Sequence, residues 1–227
     1  MTSSTLTTNT TLAQAAWPRR AAAPAWARDA FLVVAFSLVT ALSAQVVIPL
    51  APVPITGQTF GVLLTGALLG PRLGALAMAL YLLEGSLGLP FFAGGAGGAL
   101  RLAGPTGGYL LSYPFAAALV GWLAVRGWDR RPVTMLAAML LGSLVVFALG
   151  AGRLAHFVGP GRAVTLGVLP FLPGDAVKAL AAAGLLPLGW KWLGTRKSFP
   201  TPPPQGEGQE DHAAASWPPP PRKDGWG

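Results

Sequence analysis

The stretch "LPGDAVKAL", residues 172–180, sets Asp175 and Lys178 three residues apart inside the last apolar run of the chain. On a helix that spacing puts both side chains on one face. Asp175 follows Pro173 and Gly174, so it falls at a helix start. There a carboxylate accepts backbone N–H bonds and meets the positive end of the helix dipole. A cap with a companion ion accounts for the pair. So does a polar clamp for a ligand that enters the membrane. A charge at bilayer depth costs roughly 2.5–3.5 kcal/mol and usually faces a cavity or a partner. Glu84, in "YLLEGSLGLP", is a second acid near a helix end. It reaches the interface, pairs with Arg101, or meets a ligand.

Residues 88–109, "GLPFFAGGAGGALRLAGPTGGY", carry eight glycines between Gly88 and Gly108. Glycine permits close backbone approach, and exposed N–H groups there can cup an anion or a carbonyl. No Gly-Lys-Ser/Thr follows, so the stretch is not a P-loop. Phe91, Phe92, Tyr109 and Tyr113 are either walls around a ligand or interfacial aromatics.

The elements that must hold these groups are membrane helices. Of the 227 residues, 52% are hydrophobic and 11% charged, where a soluble domain carries about 25% charge. There is no cysteine, which excludes disulfides, thiolate metal sites and cysteine nucleophiles. His156, read in a loop after helix 5, and His212 are the two histidines, too few for a histidine metal cluster. No Ser-His-Asp set, HExxH or nucleotide fingerprint occurs, so the chain is not expected to be an enzyme. No cofactor and no nucleic-acid partner is expected either. The net charge of +8 fits basic loops on the cytoplasmic side.

No charged residue lies between Asp29 and Arg72, too long a run for one crossing of about 20 residues. "PLAPVPITGQ" divides it, because its prolines cannot continue a helix. The pattern predicts six transmembrane helices, near 29–48, 57–70, 72–88, 108–126, 132–151 and 173–192. Arg19, Arg20, Arg28, Arg72, Arg126, Arg130, Arg131, Lys191, Arg196 and Lys197 then fall on one side, against Arg101, Arg153 and Arg162 on the other. That asymmetry places both termini in the cytoplasm. Residues 1–28 and the proline-rich 195–227 read as disordered tails flanking a six-helix domain at 29–194. Ser37/Ala41 and Thr40/Ala44 form small-xxx-small spacings, which let another helix of this chain or another subunit approach closely.

The blocks "IPLAPVPITGQTFGVLLTGALLGPRLGALAMALYLLEGSLGLPFFAGG", "GPTGGYLLSYPFAAALVGWL" and "LPFLPGDAVKAL" resemble the BioY family over residues 30–193. These are the biotin-binding substrate (S) components of energy-coupling factor (ECF) vitamin transporters. The resemblance implies an all-α integral membrane protein with an S-component-like bundle of six transmembrane helices in the cell (inner/plasma) membrane. It implies biotin held near the extracytoplasmic surface by Asp175 and Lys178. It extends to Glu84, the 91–98 stretch with Phe91, Phe92 and Gly94, Arg101 and Tyr109. Asp175 and Glu84 suit the ureido N–H groups, Lys178 the ureido carbonyl, and Arg101 or glycine N–H groups the carboxylate. The implied partners are a transmembrane coupling (T) component and two cytoplasmic ATPases, docked through Ser37, Thr40, Ala41 and Ala44. Two alternatives remain. One is an autonomous biotin transporter, with a homo-oligomer as one form of it. The less favoured is a membrane enzyme using Asp175 and Glu84 as acid and base.

Overall fold

The computed structural model describes residues 11–16 and 24–196. Of the two tails, those stretches cover part of 1–28 and two positions of 195–227; the rest lies outside the described residues. The described part of the first tail is helical. Leu12–Ala16 form α1, and α2 (Ala25–Ser43) starts directly after Pro24. Thr11 and Gln14 close α1 reciprocally, the Gln14 N–H donating to Thr11 Oγ1 and the Thr11 N–H to Gln14 Oε1, both at 3.3 Å. This is a capping box. The buried Arg28 guanidinium donates to the Ala13 carbonyl at 3.2 Å and pairs with Asp29 at 3.1 Å. Short as it is, α1 is thereby strapped beneath α3 and α9.

The first predicted helix is too long by five residues. α2 stops at Ser43, and the chain makes a two-stranded hairpin, β1 (Val47–Ile48) with β2 (Ile55–Thr56), in the register Val47↔Thr56 and Ile48↔Ile55. Three prolines deny this stretch helical donors, and its β-branched residues favour extended backbone. α3 (Gln58–Leu69) and α4 (Pro71–Ser86) meet at Gly70, whose φ of 85° fits glycine, with Pro71 opening α4. α3 is short because it is central rather than lipid-facing. Val62, Leu63, Thr65 and Ala67 are buried, and a Cβ on Gly66 would strike the Ala117 backbone.

α5 (Leu100–Ala103) is a single turn in the glycine-rich connection before α6 (Gly107–Val125). α7 (Pro132–Val158) runs past the predicted 151, so Arg153 and His156 are helical rather than in a loop. α8 (Pro160–Gly167) leads into α9 (Leu172–Arg196). The six predicted helices therefore correspond to α2, α3, α4, α6, α7 and α9. Among the described residues, four stretches, 26–43, 107–125, 132–158 and 160–193, are long and apolar enough to cross a membrane; α3 is a shorter apolar helix.

The small-residue face of α2 is turned inward. Ser37, Thr40, Ala41 and Ala44 are all buried, and Thr40 Oγ1 lies 3.9 Å from Met78 Sδ of α4. A Cβ on Gly61 of α3 would sit 2.5 Å from Ser43 Oγ. Of the two uses left open for this face, the structure takes the intrachain one, so these four residues are not available as a docking surface. The side of α2 left exposed carries Phe31, Leu38 and Leu42.

Candidate ligand-binding site

At the hairpin end of the bundle lies a cavity of about 130 Å³. Its walls come from seven places. The hairpin gives Pro52, Val53, Pro54 and Thr56. The first turn of α3 gives Gln58 and Thr59. The glycine-rich connection gives Phe92, Ala93, Arg101 and Thr106. α6 gives Tyr109, Leu110 and Tyr113. Phe147 of α7, Phe171 of the turn just before α9 and Lys178 of α9 complete it.

Lys178 is the fixed cation of this cavity. Its Nζ donates to the Thr56 carbonyl at 2.8 Å and to Thr59 Oγ1 at 2.7 Å. An ammonium has three donors, so one N–H remains for a ligand. Asp175 stands in the first turn of α9, as the sequence predicts, and is buried. It does not line the cavity. Its carboxylate faces Ser143 of α7, whose hydroxyl closes no hydrogen bond, and it lies within range of the Lys178 charge. The two charges thus share a helix face with different outlooks, Lys178 into the cavity and Asp175 toward α7.

Arg101, Phe92 and Tyr109 are at the cavity wall. Phe92 is buried edge-on to Tyr81, ring centroids 5.7 Å apart at 76°, and its ring lies where a side chain on Gly85 would be. Tyr109 donates its hydroxyl to the Gly167 carbonyl at 2.8 Å and stacks on Phe171 at 6.3 Å. It therefore offers a ring and no hydroxyl hydrogen. Glu84, Phe91 and Gly94 are close in sequence but not at the wall. Glu84 Oε2 is buried without a hydrogen-bond partner. Phe91 presents its carbonyl to the Tyr81 hydroxyl at 3.0 Å. Gly94 takes φ 67° and ψ 31°, a left-handed turn that carries Ala93 to the cavity.

Sequence reasoning passed over Thr56, Thr59 and Gln58. They are neutral, so no charge flagged them in an apolar segment. The one signal was their place in "PVPITGQT", next to the prolines that had to break the helix. Thr56 Oγ1 donates to Gln58 Oε1 at 3.0 Å, Gln58 Nε2 to the Tyr81 hydroxyl at 2.5 Å, and the Tyr113 hydroxyl to Gln58 Oε1 at 3.4 Å. A buried polar row of this kind, opening on an apolar-walled cavity, can fix a small molecule that is part ring and part polar.

The model of the BioY family matches residues 9–195, nearly all of the described chain. The chain belongs to the BioY family. It is 42% identical over 156 residues to a probable biotin transporter BioY of Pyrococcus horikoshii, covering 69% of this chain and 92% of that protein. It is 40% identical over 149 residues to the biotin transporter BioY of Thermotoga maritima, covering 65% and 87%. A crystal structure of the S-component for biotin from an ECF-type ABC transporter matches with a TM-score of 0.64 at 26% identity, over 73% of this chain and 92% of that one. This BioY protein is thus an α-helical, multi-pass membrane protein with an S-component fold, and its family consists of transporters rather than enzymes.

Proposed function

We propose that this protein binds biotin in the cavity at the hairpin end and serves as the substrate-specific component of an ECF-type transporter. One observation carries the reading. In a chain of this family, the last helix sends a lysine into a cavity roofed by both connections that the sequence singled out. The cavity has what biotin requires. Lys178 and Arg101 are donors for carbonyl and carboxylate oxygens. Phe92, Tyr109, Phe147 and Phe171 make apolar walls for the fused rings and the valerate chain. Asp175 stands one turn before Lys178 on the same face of α9, close enough for its carboxylate to face the ammonium. Glu84, Phe91 and Gly94 support the connection that bears Phe92 and Ala93.

The basic residues orient the bundle with the hairpin end outside and both termini in the cytoplasm. Six crossings follow, α3 and α4 forming the short pair. Transport then depends on a transmembrane coupling component and two cytoplasmic ATPases, since the chain carries no nucleotide motif. The test is titration of the purified protein with biotin, followed by uptake assays in cells with and without a coupling module. Saturable 1:1 binding and uptake only with the module are expected. A protein that binds no biotin overturns the reading, and uptake without the module overturns the coupled form.

A further inference from the structure

Gln58 ends a hydrogen-bond row whose polarity is forced. The Phe91 carbonyl can only accept, so the single hydrogen of the Tyr81 hydroxyl is spent on it, at 3.0 Å. Tyr81 must then accept from Gln58, and the amide group that faces it is the NH2. The other side of the amide agrees. Thr56 Oγ1 accepts the backbone N–H of Gln58 at 3.3 Å and donates to Oε1 at 3.0 Å, while the Tyr113 hydroxyl also points its hydrogen at Oε1. Gln58 is buried, its oxygen is filled, and it stands on the cavity wall. Its amide has two hydrogens and Tyr81 takes one.

We propose that the second amide hydrogen of Gln58 is a specificity-determining donor that selects ligands presenting an acceptor oxygen on a cyclic urea. Lys178 donates to the Thr56 carbonyl, and the Thr56 hydroxyl donates to Gln58 Oε1, so Thr56 ties both residues to the same corner. The two donors therefore converge at the hairpin corner of the cavity, and one carbonyl oxygen has two lone pairs to receive them. Arg101, on the opposite connection, is left for the carboxylate. The proposal rests on the biotin reading above and adds the orientation of the ligand.

The experiment compares biotin with 2-iminobiotin, in which a protonated imine nitrogen replaces the carbonyl oxygen and turns the acceptor into a donor. Both are titrated into wild type and Gln58→Glu at one pH near neutral. Wild type should prefer biotin strongly. Gln58→Glu should narrow that preference by about tenfold or more, from the loss of one buried hydrogen bond to biotin and the gain of one to the analogue. A residue that only shapes the fold would weaken both ligands equally, and an unchanged ratio overturns the proposal. If Gln58→Glu does not fold, Tyr81→Phe takes its place. It keeps the ring and frees the amide to turn, so the preference should again narrow, and an unchanged ratio again overturns the proposal. Failure of wild type itself to bind biotin overturns the underlying reading and this inference with it.

Discussion

The ammonium of Lys178 lies 2.8 Å from the carbonyl oxygen of Thr56, across 122 residues of chain. The contact joins the last helix to the hairpin that replaces the end of the first one. It makes Lys178 the clasp that holds one wall of the cavity, and the proposed function adds the role of ligand donor. Lys178→Met should remove both roles while leaving a stem of similar length. A charge-assisted hydrogen bond contributes about 1.5–3 kcal/mol, so biotin affinity should fall by about 10- to 100-fold in calorimetry. An affinity within twofold of wild type would place the ligand elsewhere.

Asp175 does not reach the cavity wall, so its effect on biotin should pass through Lys178. Asp175→Asn should weaken binding, and the Asp175→Asn, Lys178→Met double variant should be no weaker than Lys178→Met alone. A double-mutant cycle with purified proteins reads this directly. Strictly additive losses would mean that the carboxylate swings round and contacts biotin itself.

Gly66 and Gly152 predict opposite responses to the same change. A Cβ at Gly66 would enter the Ala117 backbone, while one at Gly152 meets nothing within 4 Å. Backbone cannot yield as a side-chain tip can. Gly66→Ala should cost about 1–3 kcal/mol, and Gly152→Ala should be neutral or slightly stabilising because alanine favours helix. Thermal midpoints in detergent check the pair.

These contrasts mark how far the sequence could be read. Charge spacing and proline breaks located the six helices, because burying charge and losing helical donors are costs a single sequence displays. Lys178 and Arg101, which stand at the cavity wall, were visible in the sequence as cations in apolar or glycine-rich surroundings. Ser37, Thr40, Ala41 and Ala44 were expected to meet a partner subunit and instead pack inside the chain, since small-residue spacing serves any close helix partner. Helix α1 was missed because a five-residue helix has almost no periodicity; only the Thr11–Gln14 capping pair announced it. Gln58 was missed because an amide acquires meaning only from its neighbours. Its orientation depends on Tyr81 and Phe91, which are 23 and 33 positions away along the chain.

The strap on α1 can be tested apart from the cavity. Arg28→Ala removes the donor to Ala13 and the ion pair with Asp29. It should lower stability by about 1 kcal/mol and expose the bond before Leu12 to thermolysin. Biotin affinity should not change, since the strap and the cavity lie at opposite ends of the bundle. A binding defect in a stable Arg28→Ala protein would show that the two ends communicate.

The last prediction concerns pH. Asp129, in the turn between α6 and α7, is buried; its Oδ2 accepts from Trp190 Nε1 of α9 at 2.6 Å, and its Oδ1 has no partner. Burial pushes the carboxyl above its ordinary value, partly offset by the Trp190 hydrogen bond and the Arg130 charge. A carboxyl raised in the folded state favours folding when protonated. Its contribution is therefore fully present below the unfolded value, near pH 4, and is lost as pH rises through the folded value. Asp129→Asn keeps an acceptor for Trp190 and carries no charge to bury. The variant should melt above wild type at pH 7, with the gap closing as pH falls toward 4. Melting curves across that range decide the point, and a gap that widens on acidification would mean that the ionised carboxylate is held favourably by Arg130.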